Sequence, residues 1–164
     1  RHPDLLICGI DPGTRLMGYG CVRTVKKRQQ VIDQGTITVS GKQSFPEKLS
    51  FIFTAVEELI AAHQPDVVSV EEVFVTQNAK TTLRLGHARG VIILAAERAG
   101  CTIAEFAPRK IKKAVTGRGN AAKRQVRWMV ARMLHLDEKE LAEDAADALA
   151  AALCYAVRSN SRLR

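Results

Sequence analysis

A valine-rich run follows an amphipathic helix pattern, and this order constrains the fold more than any other feature of the sequence. The run is DVVSVEEVF, residues 66–74, and such runs are typical of strands buried on both faces. The helix pattern before it begins at a capping box formed by Ser44 and Glu47 and ends near His63. A shorter apolar run, LLICGI at residues 5–10, precedes both. A strand, helix, strand crossover pairs its two strands in parallel, so the sequence predicts an α/β sheet.

Five further segments extend the predicted sheet and its helices. Residues 18–25 and 31–39 are rich in β-branched side chains and are separated only by KKRQQ, which predicts a hairpin. A second helix is predicted over 78–99, a strand over 102–107, and a mostly helical remainder from residue 108. Three early strands and two parallel additions give a mixed five-stranded α/β sheet flanked by helices, an order that resembles the ribonuclease H-like fold.

The composition is that of a globular domain with excess positive charge. The chain has 164 residues, of which 46% are hydrophobic and 26% charged, and its formal net charge is +8. We expect one domain over residues 1–164, with flexible ends at 1–4 and 159–164. Because no run approaches the ~20 apolar residues that span a bilayer, we expect a cytoplasmic protein without a membrane partner. The cysteines form no C-x-x-C pair, which indicates reduced packing residues.

The positive charge is concentrated in one segment that directly precedes an acidic one. Residues 106–136 hold nine basic side chains and no acid, whereas residues 137–147 hold six acids and one lysine. This arrangement is typical of a surface that binds a polyanion beside a site that uses carboxylates. The alternative is a solvated helical face followed by an acidic loop.

Four acids are predicted to meet at one edge of the sheet. Asp11 ends the first strand, and either Glu71 or Glu72 ends the parallel strand beside it; ligands bind at this edge of open α/β sheets. Asp144 and Asp147 are three apart on a predicted packed helix, so they share one face. Converging acids raise one another's pKa values, and a divalent cation relieves their repulsion.

The ligand chemistry of these acids indicates a hard metal ion. Oxygen ligands without a histidine or cysteine cluster favour Mg²⁺ or Mn²⁺ over zinc. Two such ions about 4 Å apart would serve phosphodiester hydrolysis with water as the nucleophile. Each acid also has a structural alternative: Asp11 as a turn cap, the strand-end glutamate as an exposed side chain, and Asp144 and Asp147 as first-turn residues that favour the helix dipole.

Five short segments occur in the order that is typical of a known family. They are GIDPGTRLMGYG (9–20), VEEVF (70–74), NAKTTLRLGHARGV (78–91), GRGNAAKRQV (117–126) and DAADALAAAL (144–153). Together they resemble the bacterial Holliday-junction resolvases of the RuvC family over about residues 5–156. The resemblance implies a Mg²⁺-dependent endodeoxyribonuclease that resolves four-way DNA junctions by symmetrical paired nicks, in DNA recombination and repair. It also implies a homodimer that works alongside a branch-migration motor of the RuvA and RuvB type.

The resemblance assigns the chemistry to individual acids. It implies that Asp11, Glu71, Asp144 and Asp147 are catalytic residues and ligands of two metal ions, Mg²⁺ or in its place Mn²⁺. It also favours Glu71 over Glu72, a choice that strand alternation leaves open because both lie near an uncertain strand end.

DNA contacts are implied for an aromatic residue and for part of the basic segment. Phe74 matches an aromatic residue that stacks on unpaired bases near the crossover, with a core position as the alternative. Lys112 and Lys123 match basic residues that contact the cleaved strand. Arg118 and Arg124, from the same segment, are further candidates for DNA binding.

The second helix and the basic helix each carry one further prediction. Gly86 and Gly90 lie four apart, where glycine costs helix stability unless another backbone approaches closely, so we interpret the second helix as a dimer contact. Packing against the sheet is the alternative, and Arg84 and Arg89 of the same helix are alternative DNA contacts. Trp128 is expected to be a core anchor of the basic helix, with a stacking platform as the alternative.

Three other functional classes remain open at the level of sequence. A ribonuclease H-like RNA-processing nuclease similar to the YqgF family would use the same fold. An actin-like ATPase uses a similar GIDPGT segment for phosphate but needs two such lobes. A pure junction-binding module would need the basic segment without the acids.

Overall fold

The structure is a computed structural model that describes residues 4–26 and 28–161. The strands in this part of the chain are β1 (Leu5–Asp11), β2 (Leu16–Val25), β3 (Arg28–Thr38), β4 (Val67–Glu71) and β5 (Thr102–Phe106). The helices are α1 (Phe45–His63), α2 (Ala79–Arg98), α3 (Pro108–Thr116), α4 (Lys123–Leu134) and α5 (Glu143–Ser161). The flexible ends predicted at 1–4 and 159–164 lie mostly outside the described residues, but α5 continues through residues 159–161.

The strands form one mixed sheet in the order β3-β2-β1-β4-β5. The hairpins β1–β2 and β2–β3 are antiparallel, whereas β4 pairs in parallel with both β1 and β5. The predicted combination of three antiparallel and two parallel strands is therefore confirmed. Because Ile10 of β1 is level with Val70 of β4, the next residues, Asp11 and Glu71, end neighbouring strands at the same edge.

Two apolar layers cover the two faces of the sheet. Helix α5 lies across β1 and β2 with α3 and α4 packed beside it, while α1 and α2 cover the other face. Glycines in the central strands allow α5 to come close. A Cβ atom on Gly9 would overlap the carbonyl oxygen of Ala148, and one on Gly18 would overlap that of Asp144. These glycines thus let the helix that carries Asp144 and Asp147 lie directly against the strand that carries Asp11.

The predicted starts of α1 and α2 are confirmed by their caps. The Ser44 backbone N–H donates to the Glu47 carboxylate, and the Glu47 N–H donates back to the Ser44 hydroxyl oxygen. The side chain of Asn78 likewise accepts a hydrogen bond from the Thr81 N–H at the start of α2. Side-chain acceptors of this kind satisfy amide groups that have no partner inside the first turn.

The structure resolves one strand end that the sequence left open and corrects one predicted turn. Strand β4 ends at Glu71, one of the two residues predicted to end it, and the N–H of Glu72 makes the last described hydrogen bond to β5, at the Phe106 carbonyl oxygen. The hairpin turn is also tighter than KKRQQ suggested, since Val25 already pairs with Arg28. Strand β3 is at the edge of the sheet and largely solvated, so polar residues can extend it.

Two predictions about single residue types have opposite outcomes. All four cysteines are free thiols that are buried or half-buried, as predicted. Trp128 was expected in the core, but its side chain is 46% exposed. The α4 positions that face the core carry smaller apolar residues, among them Val126 and Val130, and Trp128 falls on the opposite face. Within the described residues, no helix is both long and apolar enough to cross a membrane.

Candidate active site

A cavity of about 350 Å³ opens where β1, β4 and α5 meet. Its lining includes all four predicted acids and two of the predicted basic residues: Asp11, Glu71, Asp144, Asp147, Lys112 and Lys123. Pro108, Ile111 and Val126 supply part of an apolar wall. The structure therefore brings together, in one cleft, acids that are up to 136 positions apart in the sequence.

Each acid is held by a regular element rather than by a loop. Asp11 and Glu71 are the last residues of β1 and β4, and both are half-buried. Asp144 and Asp147 lie in the first turns of α5, one turn apart, and are also half-buried. Glu72 is exposed and lies outside the cavity, so the geometry agrees with the choice of Glu71.

Asp11 is the acid whose ionisation is most strongly opposed. Burial raises its pKa first, and the nearby carboxylates of Asp147, Asp144 and Glu71 raise it further, to about 8. A hydrogen bond to Asp144 contributes in the same direction, because the protonated Asp11 carboxyl can donate to the Asp144 carboxylate. The site thus holds a proton at neutral pH where a metal ion would otherwise balance the charge.

Lys123 partly balances the remaining acids. Its Nζ atom lies 3.5 Å from Asp147 Oδ2 and 3.5 Å from Glu143 Oε1. Burial raises the pKa of Asp147 while Lys123 lowers it. Burial and Asp147 also raise the pKa of Glu71, against the opposing effect of Lys123 and Lys112. Asp147 in turn raises the pKa of Lys123, so the lysine stays protonated at neutral pH.

The donor set fits a hard divalent cation, although the described side chains do not form a ready-made cage. No three histidine, cysteine, aspartate or glutamate side chains in the described part of the chain are arranged to hold a metal ion. The four carboxylates nevertheless share one cavity, and, after burial, the other three raise the pKa of Asp11, as acids do when no cation separates them. Carboxylate oxygens are the ligands that Mg²⁺ and Mn²⁺ prefer.

Arg89 supports the strand end that carries Glu71. Its Nε atom donates a hydrogen bond of 3.1 Å to the Glu71 carbonyl oxygen, and its guanidinium forms an ion pair with Glu105 on β5. The side chain is only 18% exposed, so it contacts the interior of the protein rather than a surface ligand. Arg84, one turn earlier, is exposed and its guanidinium lies 5.1 Å from the centre of the Phe45 ring.

The remaining predicted DNA contacts do not line this cavity. Phe74, three residues beyond Glu71, is 58% exposed, so the alternative of a core position is wrong. Arg118 is exposed in the turn between α3 and α4. Arg124 lines a neighbouring cavity that shares Lys123 with the acidic one.

Sequence reasoning did not single out two residues that the structure places beside the acids. Glu143 contacts Lys123, and its position one helical turn before Asp147 is a signal that could have identified it. Arg89 was considered only as a DNA contact. Nothing in local spacing shows that it reaches Glu71, since that contact depends on how α2 lies over β4 and β5.

The exposed side of α2 is a stripe of apolar and small residues. It consists of Leu83, Gly86, Gly90 and Leu94, all exposed. A Cβ atom on Gly86 or Gly90 would meet no described atom within 4 Å. These glycines do not pack against the sheet, so the alternative to a dimer contact is wrong for them.

The sheet order, with a helix across its centre, places the protein in the ribonuclease H-like class. The yeast mitochondrial Holliday junction resolvase Ydc2 has the same fold, with a TM-score of 0.71 and 13% identity over 94% of this chain and 78% of that one. The family model of crossover junction endodeoxyribonuclease RuvC matches residues 7–155, and the chain belongs to this family.

Curated and solved members support this assignment. A crossover junction endodeoxyribonuclease RuvC from Halorhodospira halophila is 48% identical over 150 residues, which cover 92% of this chain and 89% of the relative. The structure of T. thermophilus RuvC in complex with Holliday junction substrate has a TM-score of 0.89 and 30% identity, with 96% of each chain covered.

Proposed function

We propose that this protein resolves Holliday junctions in DNA recombination and repair by symmetrical paired nicks that leave 5′-phosphate and 3′-hydroxyl ends. One observation carries the proposal: a chain of the crossover junction endodeoxyribonuclease family holds four acids and two lysines in one cavity. The T. thermophilus member that was solved with Holliday junction substrate supports the same choice of ligand. Family membership also favours this function over an actin-like ATPase.

The acids are proposed as the catalytic and metal-binding residues. Asp11, Glu71, Asp144 and Asp147 would hold two Mg²⁺ ions, and Mn²⁺ would serve in their place. When bound, such ions lower the pKa of an attacking water and stabilise charge on the scissile phosphate and the leaving oxygen. The strands and α5 hold the carboxylates in place, and the apolar wall limits the water around them.

The basic residues are proposed to place the DNA strand over this cavity. Lys112 and Lys123 line it and would contact phosphates of the cleaved strand. Lys123 is protonated beside Asp147, so it can also supply a proton to the leaving 3′ oxygen. Arg118 and Arg124 would contact the backbone further away, and the exposed ring of Phe74 would stack on an unpaired base.

Two-fold symmetry of the substrate extends the proposal to a homodimer. A four-way junction offers equivalent strands to two identical sites, which matches an isologous dimer. The apolar stripe of Leu83, Gly86, Gly90 and Leu94 on α2 is the proposed contact. We place the enzyme in the cytoplasm, where it would act with a branch-migration motor of the RuvA and RuvB type.

A synthetic mobile four-way junction provides the direct test. Cleavage started with Mg²⁺ should yield symmetrical nicks with the native protein and none with Asp144→Asn, while both bind the junction equally in the absence of Mg²⁺. Asp144→Asn keeps the size of the side chain, so lost binding would indicate misfolding rather than lost chemistry. A structured RNA is the matched substrate. Cleavage of RNA but not of the junction would establish the RNA-processing alternative and overturn the proposal.

A further inference from the structure

We propose that one exposed face of α4, formed by Arg124, Trp128 and Arg132, is an additional DNA-contact surface that holds the cleaved strand where it leaves the active site. We call it the α4 face. The inference rests on the proposed function and deepens it, because it adds a stacking contact outside the cavity. It also assigns a role to Trp128, which was expected in the core but is exposed.

The three residues share one side of the helix. Each lies four positions after the one before it, and all three are exposed. They therefore form a continuous row along the helix. Eight residues of α-helix extend about 12 Å. One DNA strand advances about 3.4 Å per phosphate along the helix axis, so the row matches three to four nucleotides.

The chemistry of the α4 face suits a nucleic acid. The Arg132 guanidinium lies 5.1 Å from the centre of the Trp128 ring, which pairs a cation with an indole on the surface. An aromatic ring stacks on bases or sugars without sequence preference, and flanking arginines neutralise phosphates. Because the Trp128 ring is exposed, it does not serve as a core residue. Its two charged neighbours on the α4 face, Arg124 and Arg132, are both positive.

The α4 face is continuous with the active site. Lys123, adjacent to Arg124, has its Nζ atom 3.5 Å from Asp147, and Arg124 lines the cavity beside it. The positive row therefore begins at Arg124, in a cavity that Lys123, Glu138 and Glu143 also line, and continues along α4 to Arg132.

Trp128 is the only tryptophan of the chain, so its fluorescence reports on this surface alone. The Asp144→Asn variant is titrated with an unlabelled four-way junction in Mg²⁺-free buffer, and binding is followed in parallel by anisotropy of a labelled junction. We expect the tryptophan emission to change with the same midpoint as the anisotropy, and acrylamide quenching to fall at least twofold at saturation. Saturated binding with unchanged emission and quenching overturns the α4 face and leaves the proposed function intact. Absence of binding overturns both.

Substitutions provide a second, independent readout. Trp128→Ala should weaken junction binding about 5- to 10-fold, while Trp128→Phe, which keeps an aromatic ring, should retain most of it. Arg132→Gln should reduce the slope of log affinity against log salt by about 0.9.

Arg98→Gln is the matched control, because Arg98 also lies over an aromatic ring, that of Phe53, but on α2. Equal effects of Arg132→Gln and Arg98→Gln, or no effect of Trp128→Ala, contradict the proposal. Because Trp128 is exposed, we expect the melting temperatures of these variants to stay close to that of the native protein.

Discussion

Asp11 is a carboxyl group whose neighbours oppose its ionisation. It ends β1, lies level with Glu71 and faces the two acids of α5. Its pKa of about 8 results from burial and from those three carboxylates. In the unfolded chain the same group ionises near 3.8, so without metal the folded state retains a proton that the unfolded state releases. The free energy of unfolding then falls as pH rises from about 4 towards 8.

Asp11→Asn should remove most of this pH dependence. The amide cannot ionise, so the metal-free variant should melt higher than the native protein at pH 8, by at least the 2–4 °C that correspond to about 1 kcal/mol in a chain of this size. The difference should shrink towards pH 4 and vanish below it, because the Asp11 carboxyl of the native protein then becomes protonated in the unfolded state as well as in the folded state. Thermal denaturation in EDTA at both pH values checks this. Parallel pH curves for the two proteins would show that Asp11 does not retain the proton.

At the scale of elements, the sequence was most informative where local chemistry determines the structure. The Ser44 and Glu47 cap, the Asn78 cap and the parallel crossover are local patterns, and all three are confirmed. The sequence placed the end of β4 at Glu71 or Glu72 but could not choose between them, because Val73 and Phe74 continue the apolar run although the pairing with β5 has ended. The predicted core position of Trp128 was wrong for a related reason. Helical periodicity shows that α4 has two faces, but packing against α3 and α5 determines which of them faces the core.

The four acids of the candidate site could be predicted from the sequence, but the contacts that support them could not. The strand ends and one helix face predicted that four carboxylates would lie close together, and the structure places them in one cavity. The contacts of Arg89 depend on the tertiary arrangement, since one side chain of α2 reaches both β4 and β5. The spacing of residues in the sequence does not indicate which side chain will donate to the Glu71 backbone carbonyl.

Arg89→Lys should slow junction cleavage more than it weakens junction binding. Lysine keeps the charge but cannot donate to the Glu71 carbonyl and pair with Glu105 through one planar group. Glu71 should then be held less firmly, which would lower the cleavage rate about 10-fold and raise the Mg²⁺ concentration needed for half-maximal rate. Single-turnover cleavage across a Mg²⁺ series, with binding measured separately, gives both quantities.

Arg84→Lys is the matched control for Arg89. It changes an exposed arginine of the same helix, one that contacts Phe45 rather than the strand end, and should leave the Mg²⁺ dependence unchanged. If Arg89→Lys lowered affinity and rate together with an unaltered Mg²⁺ midpoint, a DNA contact would be the better account of Arg89.

At the scale of the whole molecule, α2 links the proposed dimer contact to the active site. One side of this helix carries the exposed stripe of Leu83, Gly86, Gly90 and Leu94, and its flank carries Arg89, which contacts the Glu71 backbone. A partner that covers the stripe would bury apolar surface and fix the orientation of the helix that supports Glu71. Dimer formation and the geometry of each active site are therefore expected to be coupled.

Leu94→Glu should separate the dimer into monomers and abolish paired cleavage. A buried, unpaired carboxylate at an apolar contact costs several kcal/mol, which is enough to dissociate a dimer at micromolar concentration, whereas the exposed position in the monomer tolerates it. Sedimentation velocity should show a dimer for the native protein and a monomer for the variant. The monomer retains its four acids, so cleavage should appear as slow single nicks instead of symmetrical pairs. Ile32→Glu, at an exposed apolar residue of edge strand β3, is the control and should remain dimeric. A native protein that sediments as a monomer with the junction bound, or a dimeric Leu94→Glu, would exclude this face of α2 as the contact.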